Sequence, residues 1–410
     1  MKKLLFVVVT LFSLLPFVSC KKQKVSVSDE PVVLRFGSWR TDDVGEMEKL
    51  FSLFHQQYPN ITVSFEAVEP TEYNDDILKK LKSETAPDLI CVRSYATGES
   101  LYNAGYLSDC SWLTSFKEAF SAANRSAWTA ADGKEYAVPF AAVSHGMYYN
   151  RAIFQKEELA IPRTWEEFLQ TCETLKSKGY VPIANGLADK WDIFECFFLG
   201  GVVPDFVGGA NEREKYEKKR LPLNDDHFVA AYQAMADIAT YLPGDADSVS
   251  YDEAKQRFID QKAVMIMDGS WSAGVYGTAA FDWGIFALPA PKDRATIICF
   301  HPDMAISMNT KTLHQKEARS FLLWLCTVNG AESVADSLPS GYFPVSMYNL
   351  PLADINANRF LRLNKGRDID ARFIWPKLVR LYEPMKQAVV DVVKGKMTPR
   401  QAADFVAGAM

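Results

Sequence analysis

Six side chains with binding chemistry follow predicted β-strands at the points where those strands end: Trp39, Arg40, Arg93, Tyr95, Asp268 and Trp271. Together they offer a small ligand both aromatic rings and polar groups. Flat aromatic rings cover apolar ring faces, and fixed polar groups satisfy hydroxyls whose burial without a partner costs a few kcal/mol. Ligand groups in open α/β sheets lie beyond the carboxyl ends of strands. These six residues are therefore predicted to line a binding cleft.

The same residues have structural interpretations that the sequence leaves open. Trp39 or Trp271 can be a packing anchor at the edge of a domain, since tryptophan is often largely buried. Arg93 can pair with a neighbouring carboxylate, because its planar guanidinium suits bidentate pairing in either role. Neither alternative is decided by the pattern alone.

Motifs for covalent or metal chemistry are weak in this sequence. Gly200-Gly201 and Gly208-Gly209 lack the Lys-Ser/Thr that completes a phosphate-binding loop, and neither Gly-x-Ser-x-Gly nor His-Glu-x-x-His occurs. His301 and Asp303 offer two metal ligands without a third nearby. We therefore expect neither a cofactor nor a metal site.

Cysteine spacing also disfavours zinc and a dense disulfide framework. Beyond Cys20 the cysteines are far apart and form no Cys-x-x-Cys motif. They are Cys91, Cys110, Cys172, Cys196, Cys299 and Cys326. Most are expected to be free thiols in the core, and no pair is predicted.

The N-terminus has the pattern of an export signal. Lys2-Lys3 precedes an apolar run from Leu4 to Val18, which is short for a membrane span. Cys20 then stands where a bacterial lipoprotein signal places the lipidated residue, although the usual leucine three residues earlier is absent. We predict a signal peptide over 1–19 and a lipid-anchored tether over 20–30. An ordinary secretory signal with a chance cysteine is the alternative.

Length and charge limit the remaining classes. A chain of 410 residues exceeds what one core normally serves, so two domains are expected. Its 45 Lys and Arg against 51 Asp and Glu give a formal net charge of −6 without long charged runs. This balance argues against nucleic acid as a partner.

Periodicity predicts an α/β domain at the start of the mature chain. Strand-like runs at 32–36, 61–65 and 89–92 alternate with two amphipathic segments, which gives strand–helix–strand–helix–strand. Asp43 and Glu46 have capping-box spacing before the first helix.

Later segments are predicted with the same signals. An extended segment from Glu135 to Tyr149 is long enough to cross between domains, and Thr164 with Glu167 forms a second capping box. A helix is predicted near Asp226–Tyr241. The glycine-rich stretch 200–209 and the charged stretch 211–220 are predicted to form a surface loop.

Five motifs, in this order, resemble family 1 extracellular solute-binding proteins, the maltose-binding-protein-like receptors of ABC sugar importers. They are Ser38-Trp39; Ala86-Pro87-Asp88-Leu89 with 101–107; Gly133 to Phe140 running on to Asn150; Ile161 to Phe168; and Phe258 to Met267 with Gly269-Ser270-Trp271. The resemblance covers nearly the whole mature chain.

The resemblance implies a periplasmic-binding-protein type II-like fold. It consists of two discontinuous α/β lobes, each with a mostly parallel sheet, joined by a hinge with the ligand cleft between them. Lobe one is expected at 31–142 plus 296–343, and lobe two at 146–290 plus 350–410. Crossings are expected near 143–145, 291–295 and 344–349.

The family pattern also adds binding candidates. It implies a sugar platform at Trp271 and polar contacts on or near the crossings and in a second-lobe loop, namely His145, Asn185, Trp191, Asp192, Asp303 and Tyr342. A lone histidine such as His145 is more often structural.

The function that the resemblance implies is a lipid-anchored extracytoplasmic receptor. It would capture a carbohydrate, with an oligosaccharide favoured, and deliver it to ABC permease subunits by hinge closure, as a monomer and without catalysis. Alternatives are a surface glycan-active enzyme with a carboxylate pair such as Asp192 and Asp268, a sensor or adhesive lipoprotein on the same fold, or a non-sugar ligand.

Overall fold

A computed structural model describes residues 30–70, 72–348 and 350–410. The predicted signal peptide, Cys20 and all of the tether except residue 30 lie outside the described residues. Within them, no single helix has both the length and the apolar character of a membrane span. One pair of helices, 192–206 and 210–217, meets those limits only when combined across a 96° bend.

Within the described residues, the strands form a nine-stranded sheet whose central path has the order β2-β1-β3-β7-β4-β5. Strands β6 and β8 pair with β4, and β9 pairs with β7. The bounds are β1 Val32–Ser38, β2 Ile61–Ala67, β3 Leu89–Arg93, β4 Val138–Asn150, β5 Met265–Gly269, β6 Trp283–Phe286, β7 Ile298–Met308, β8 Phe343–Pro344 and β9 Ile369–Asp370.

The strands β4 and β7 connect the two halves of the sheet. The first part of β4 pairs with β7 as far as Ser144, which lies opposite Phe300. From His145 onward, β4 pairs with β5 instead. The sheet is mixed rather than mostly parallel, because every pairing of β4, and that of β3 with β7, is antiparallel. The expectation of mostly parallel sheets was therefore wrong.

Helices cover the sheet at both ends. Their bounds are α1 Val44–Gln57, α2 Tyr73–Lys82, α3 Ala96–Asn103, α4 Phe116–Ala119, α5 Ala122–Ser126, α6 Arg151–Lys156, α7 Trp165–Ser177, α8 Val203–Phe206, α9 Ala210–Glu217, α10 Asp226–Ile238, α11 Tyr251–Ile259, α12 Ala273–Tyr276, α13 Gln315–Leu325, α14 Val328–Ser337, α15 Ile355–Asn364, α16 Tyr382–Val393 and α17 Pro399–Gly408. A π-helix occupies Asp192–Val202, and 3-10 turns occupy Ala239–Tyr241, Ala246–Ser248, Ser270–Ser272 and Val379–Leu381.

The predicted order β1-α1-β2-α2-β3 is confirmed, but the caps differ from their predictions. The Asp43 side chain makes no capping bond to α1, because its carboxylate accepts hydrogen bonds from the Arg40 guanidinium. Thr164 does cap α7 by accepting from the Glu167 backbone N–H at 3.2 Å. The Glu167 carboxylate binds the Arg163 N–H instead of returning to Thr164, so the second box is only half formed.

The predicted surface loop over 200–220 is wrong. The π-helix runs through Gly200 and Gly201, which are fully buried, and α9 covers much of the charged stretch. A Cβ on Gly200 would lie 2.6 Å from Cδ2 of the His145 ring, so glycine permits a close approach of helix and strand here. The glycines therefore mark tight packing rather than a turn.

Two apolar clusters form the core. One surrounds β1, β3 and helices α1 and α13, and the other surrounds the π-helix, α7, α10 and α16. The exact lobe boundaries stay a prediction. All six cysteines of the described chain are free and buried, as expected, and burial raises the pKa of the Cys91 thiol to about 12.

Candidate ligand-binding site

The change of partner along β4 assembles the candidate site. Val143 lies opposite His301 on β7, and two residues later His145 lies opposite Gly269 on β5. The imidazole rings of His145 and His301 are thereby brought to 5.8 Å, centroid to centroid. Groups from three strands converge at this point.

Arg372 occupies the centre of the site and is 2% exposed. Its guanidinium donates to the Glu195 carboxylate at 2.8 Å and to Nε2 of His145 at 2.9 Å. Glu195 belongs to the π-helix and is also buried, with 3% of its side chain exposed. This is a paired buried charge, which a protein retains only with such compensation.

Three half-buried tryptophans surround the guanidinium. Its central carbon lies 4.4 Å from the ring centroid of Trp375, 5.4 Å from that of Trp271 and 5.7 Å from that of Trp191. Trp271 also contacts the His145 ring at 5.1 Å, and Trp375 contacts the His301 ring at 5.0 Å. We call these seven residues the Arg372 cluster: His145, Trp191, Glu195, Trp271, His301, Arg372 and Trp375.

The cluster contains polar atoms without partners. Nε of Arg372 and Nε2 of His301 are buried and make no hydrogen bond within the described chain, and the same holds for Oγ of Ser94, the residue after Arg93. Because buried polar groups are nearly always hydrogen-bonded, these atoms are candidates to bind a ligand or water. One is a donor, one an acceptor and the third can do both.

Both histidines of the cluster are held neutral. Burial and the positive charge of Arg372 lower the pKa of His301 to about 4, and the same causes hold the pKa of His145 well below its usual range. Nδ1 of His301 lies 3.0 Å from the carbonyl oxygen of Pro302, which fixes the proton on Nδ1 and leaves Nε2 as an acceptor.

A metal-like grouping overlaps the cluster. Ligand atoms of His145, Cys299 and His301 lie within 4.8 Å of one another. The sequence offered His301 and Asp303 as a weak pair of metal ligands. In the structure His301 is grouped with His145 and Cys299 instead. The Arg372 guanidinium binds His145 directly, and this positive charge opposes a cation at the same place. We propose no metal here.

The second-half candidates Asn185, Asp192 and Asp268 are fully buried and satisfied mainly by protein. Asn185 accepts from the Met267 N–H at 2.9 Å and donates to its carbonyl at 3.0 Å. Asp192 accepts from the Gly186 N–H at 2.9 Å, and burial raises its pKa to about 7. These contacts fix the loop between 184 and 192 on β5.

Asp268 is held by two tyrosine hydroxyls. Tyr251 donates to it at 2.9 Å and Tyr276 at 2.6 Å. The Tyr251 hydroxyl also accepts from the Trp271 indole N–H at 2.9 Å, so Asp268 orients Trp271 through Tyr251. Both carboxylate oxygens of Asp268 accept hydrogen bonds, whereas Oδ1 of Asp192 is buried and makes no hydrogen bond within the described residues.

Trp39 and Arg93, two candidates of the predicted lobe one, contact each other. The Arg93 guanidinium stacks 4.4 Å from the ring centroid of Trp39 and donates to the side chain of Asn74 and the carbonyl of Pro70. Trp39 is 3% exposed and packs edge-on against Tyr73, so its packing role is substantial. Arg93 pairs with no carboxylate among the described residues.

The other candidates of the predicted lobe one and of its crossings are Arg40, Tyr95, Asp303 and Tyr342. Arg40 is paired with Asp43 and lies 5.3 Å from the ring centroid of the buried Tyr342. Tyr95 has a backbone φ of +61°, an uncommon conformation for a non-glycine residue, directly before α3. The half-buried Asp303 acts electrostatically on both Arg93 and Arg372.

Sequence reasoning missed Glu195, Tyr251, Arg372 and Trp375. Glu195 lies in an apolar run, and Arg372 stands 177 positions away from it without a local motif. The nearest available signal was the spacing of Arg372 and Trp375, an arginine and a tryptophan three residues apart in a segment rich in aromatics.

Solved structures of other proteins share this fold. A protein of xylan utilization in Caldanaerobius polysaccharolyticus superposes with a TM-score of 0.80 at 17% identity, covering 92% of this chain and 99% of that one. A chitin oligosaccharide binding protein superposes with a TM-score of 0.78 at 19% identity, covering 92% and 98%.

The sequence comparison defines the family. Residues 37–328 match the family model of bacterial extracellular solute-binding proteins, and the chain belongs to that family. A multiple sugar-binding protein of Streptococcus mutans is 26% identical over 335 residues, which are 78% of this chain and 77% of that protein.

Proposed function

We propose that this protein is an extracytoplasmic receptor that captures a carbohydrate and delivers it to an ABC permease without chemical change. The observation that carries the proposal is the Arg372 cluster, where three half-buried tryptophan rings surround unpartnered buried polar atoms. Rings of this kind cover the apolar faces of a sugar, and the polar atoms meet its hydroxyls.

The charge balance of the cluster favours a neutral sugar. The Arg372 charge is already paired with Glu195 at 2.8 Å, and both histidines are neutral at pH 7. An anionic ligand would compete with Glu195 for the same guanidinium. Among relatives and structural neighbours, three names concern multiple sugars, chitin oligosaccharide and xylan, whereas two relatives are named as sn-glycerol-3-phosphate-binding proteins.

Capture by hinge closure follows from the position of the cluster. Trp191, Trp271 and Arg372 belong to the predicted lobe two, whereas His301 and Ser94 belong to lobe one, with His145 on the predicted crossing 143–145. A ligand that binds groups of both lobes stabilises the closed arrangement over the open one by its differential affinity. A permease then recognises the closed form.

We also propose that Cys20 carries a lipid that holds the receptor at a membrane, on the sequence pattern of the signal. Replacing Cys20 with Ala should move the protein from the membrane fraction to the soluble fraction. Retention of the Cys20→Ala protein in detergent-extractable membranes would contradict the anchor while leaving the binding proposal intact.

The function is tested by a thermal-shift screen of the purified protein against mono- and oligosaccharides, with amino acids and metal ions as controls. A ligand that binds only the native state stabilises it by about 2.7 kcal/mol at a hundredfold excess over Kd. A saturable shift with a sugar that is recovered intact supports the receptor. Cleavage of the sugar would instead show an enzyme, and no shift with any sugar would refute the carbohydrate assignment.

Replacing Trp271 with Ala should then weaken sugar binding at least tenfold, because the half-buried ring presents a face to the site. Trp112→Ala is the matched control, since Trp112 is also half-buried and stacks against an arginine, Arg319, at 4.7 Å outside the cluster. Equal losses of affinity in the two variants, measured by calorimetry, would show that Trp271 acts through general stability.

A further inference from the structure

A second concave site lies apart from the Arg372 cluster. It is a cavity of about 840 Å³ between the N-terminal ends of α6 and α7, strand β6 and helix α15. Its charged lining residues are Arg151, Arg163, Glu167, Arg359, Arg362 and Arg367. None of the seven residues of the Arg372 cluster lines it, so the two sites are distinct.

The cavity holds positive charge that the protein does not neutralise. Glu167 is the one carboxylate among its lining residues. Arg151 and Arg359 share Asp282, each at 3.5 Å, and that carboxylate is itself 63% exposed.

Three of its arginines, Arg163, Arg362 and Arg367, have no anionic partner among the described residues. The side chains of Arg163 and Arg362 make neither an ion pair nor a hydrogen bond within the part of the chain that the structure describes. Both residues are exposed. Their guanidinium groups are therefore free to bind a group from solution.

This concentration of arginine is contrary to the overall charge of the chain, which is −6. Like charges around one concavity repel one another and raise the local concentration of anions there. Guanidinium groups also match the oxygens of phosphate bidentately, as ammonium groups do not. The volume is within the range of small-molecule sites.

We propose that this arginine-lined cavity binds a phosphate-bearing anion. The same chemistry is offered by a free phosphorylated molecule and by the headgroup of an anionic phospholipid. The proposal does not depend on the sugar site, because the two sites share no residue among those that define them.

The test uses the Cys20→Ala protein, which lacks the predicted lipid attachment point. Pyrophosphate is titrated by calorimetry in a phosphate-free buffer at low ionic strength. In a second arm, the protein is sedimented with vesicles of phosphatidylglycerol or of phosphatidylcholine. Saturable pyrophosphate binding supports the site. Sedimentation with phosphatidylglycerol that pyrophosphate reverses assigns the lipid source, and its absence assigns a free phosphate.

Charge reversal identifies the location. Arg163→Glu with Arg362→Glu should weaken pyrophosphate binding at least tenfold. The control is Lys117→Glu with Lys316→Glu, because these lysines are exposed, lie outside the cavity and have no ion pair in the described chain. Both double variants change the net charge equally. No saturable binding at millimolar pyrophosphate, or an equal loss in both double variants, would overturn the proposal, and an unchanged melting temperature would show that each variant is folded.

Discussion

The buried pair of Arg372 and Glu195 makes a quantitative prediction about stability. Glu195→Gln keeps the shape of the side chain but removes its charge, which leaves the Arg372 guanidinium buried with neutral His145 as its other hydrogen-bonded partner. Each side chain of the pair is 3% exposed, so solvent cannot screen the remaining charge. We expect the folded state to lose stability.

The magnitude follows from the burial of the pair. Removing one partner of a buried ion pair costs about 3–5 kcal/mol, because the other charge remains without compensation. The half-buried carboxylate of Asp303 also acts on Arg372 and offsets part of this cost. We therefore expect a loss near the lower limit, about 3 kcal/mol.

Urea unfolding in sugar-free buffer at pH 7, followed by tryptophan fluorescence, measures this loss. The matched control is Glu214→Gln, because Glu214 pairs with Lys218 on the surface, with 55% and 48% of the side chains exposed. Exposed pairs contribute little, so this control should unfold as the wild type does.

A double variant separates the charge from other effects. Arg372→Met combined with Glu195→Gln removes both charges and should be more stable than Glu195→Gln alone. The reasoning is refuted if Glu195→Gln loses less than about 1 kcal/mol, or if the double variant is no more stable than the single one.

Two further predictions concern the same region. Gly200→Ala should destabilise the protein by about 1–3 kcal/mol, because the added Cβ meets the His145 ring at 2.6 Å. Gly45→Ala is the control and should not destabilise the protein, because a Cβ there would have nothing within 4 Å. Thermal unfolding of the two variants measures the difference. His301 takes up its proton near pH 6.5 when unfolded but only near pH 4 when folded, so acidification across this window favours unfolding, by up to about 3 kcal/mol. His301→Gln should therefore show a shallower loss of stability between pH 6.5 and 4 in urea titrations, and an unchanged slope would contradict the lowered pKa.

Local periodicity was sufficient to predict the elements that frame the site. The alternation of strands and helices over 32–92 and the long extended segment before Asn150 are read from short-range patterns of apolar residues, and the structure has them. Trp271 could be selected because it follows a predicted strand, whereas His145 and Trp191 became candidates only through the resemblance to the family.

The centre of the site could not be predicted in this way. Arg372 and Glu195 meet across 177 positions, and neither stands in a motif, because their pairing is created by the packing of the π-helix against the segment after β9. The prediction of a surface loop at the buried glycines of the π-helix was wrong for a related reason. Gly200 is required by the close approach of His145, and composition alone does not distinguish that cause from a turn.

The long strand β7 has a consequence for biosynthesis. Leu89 of β3 lies opposite Met308, and Val138 of β4 lies opposite Ile306. Both strands are therefore synthesised well before β7, the strand that pairs with them. Closing such distant pairings costs entropy before any contact is gained, which slows folding and leaves strand edges open to association. The early strands therefore cannot complete their sheet until residues near 308 have emerged. During that interval, any machinery that transports the chain meets an unfolded polypeptide.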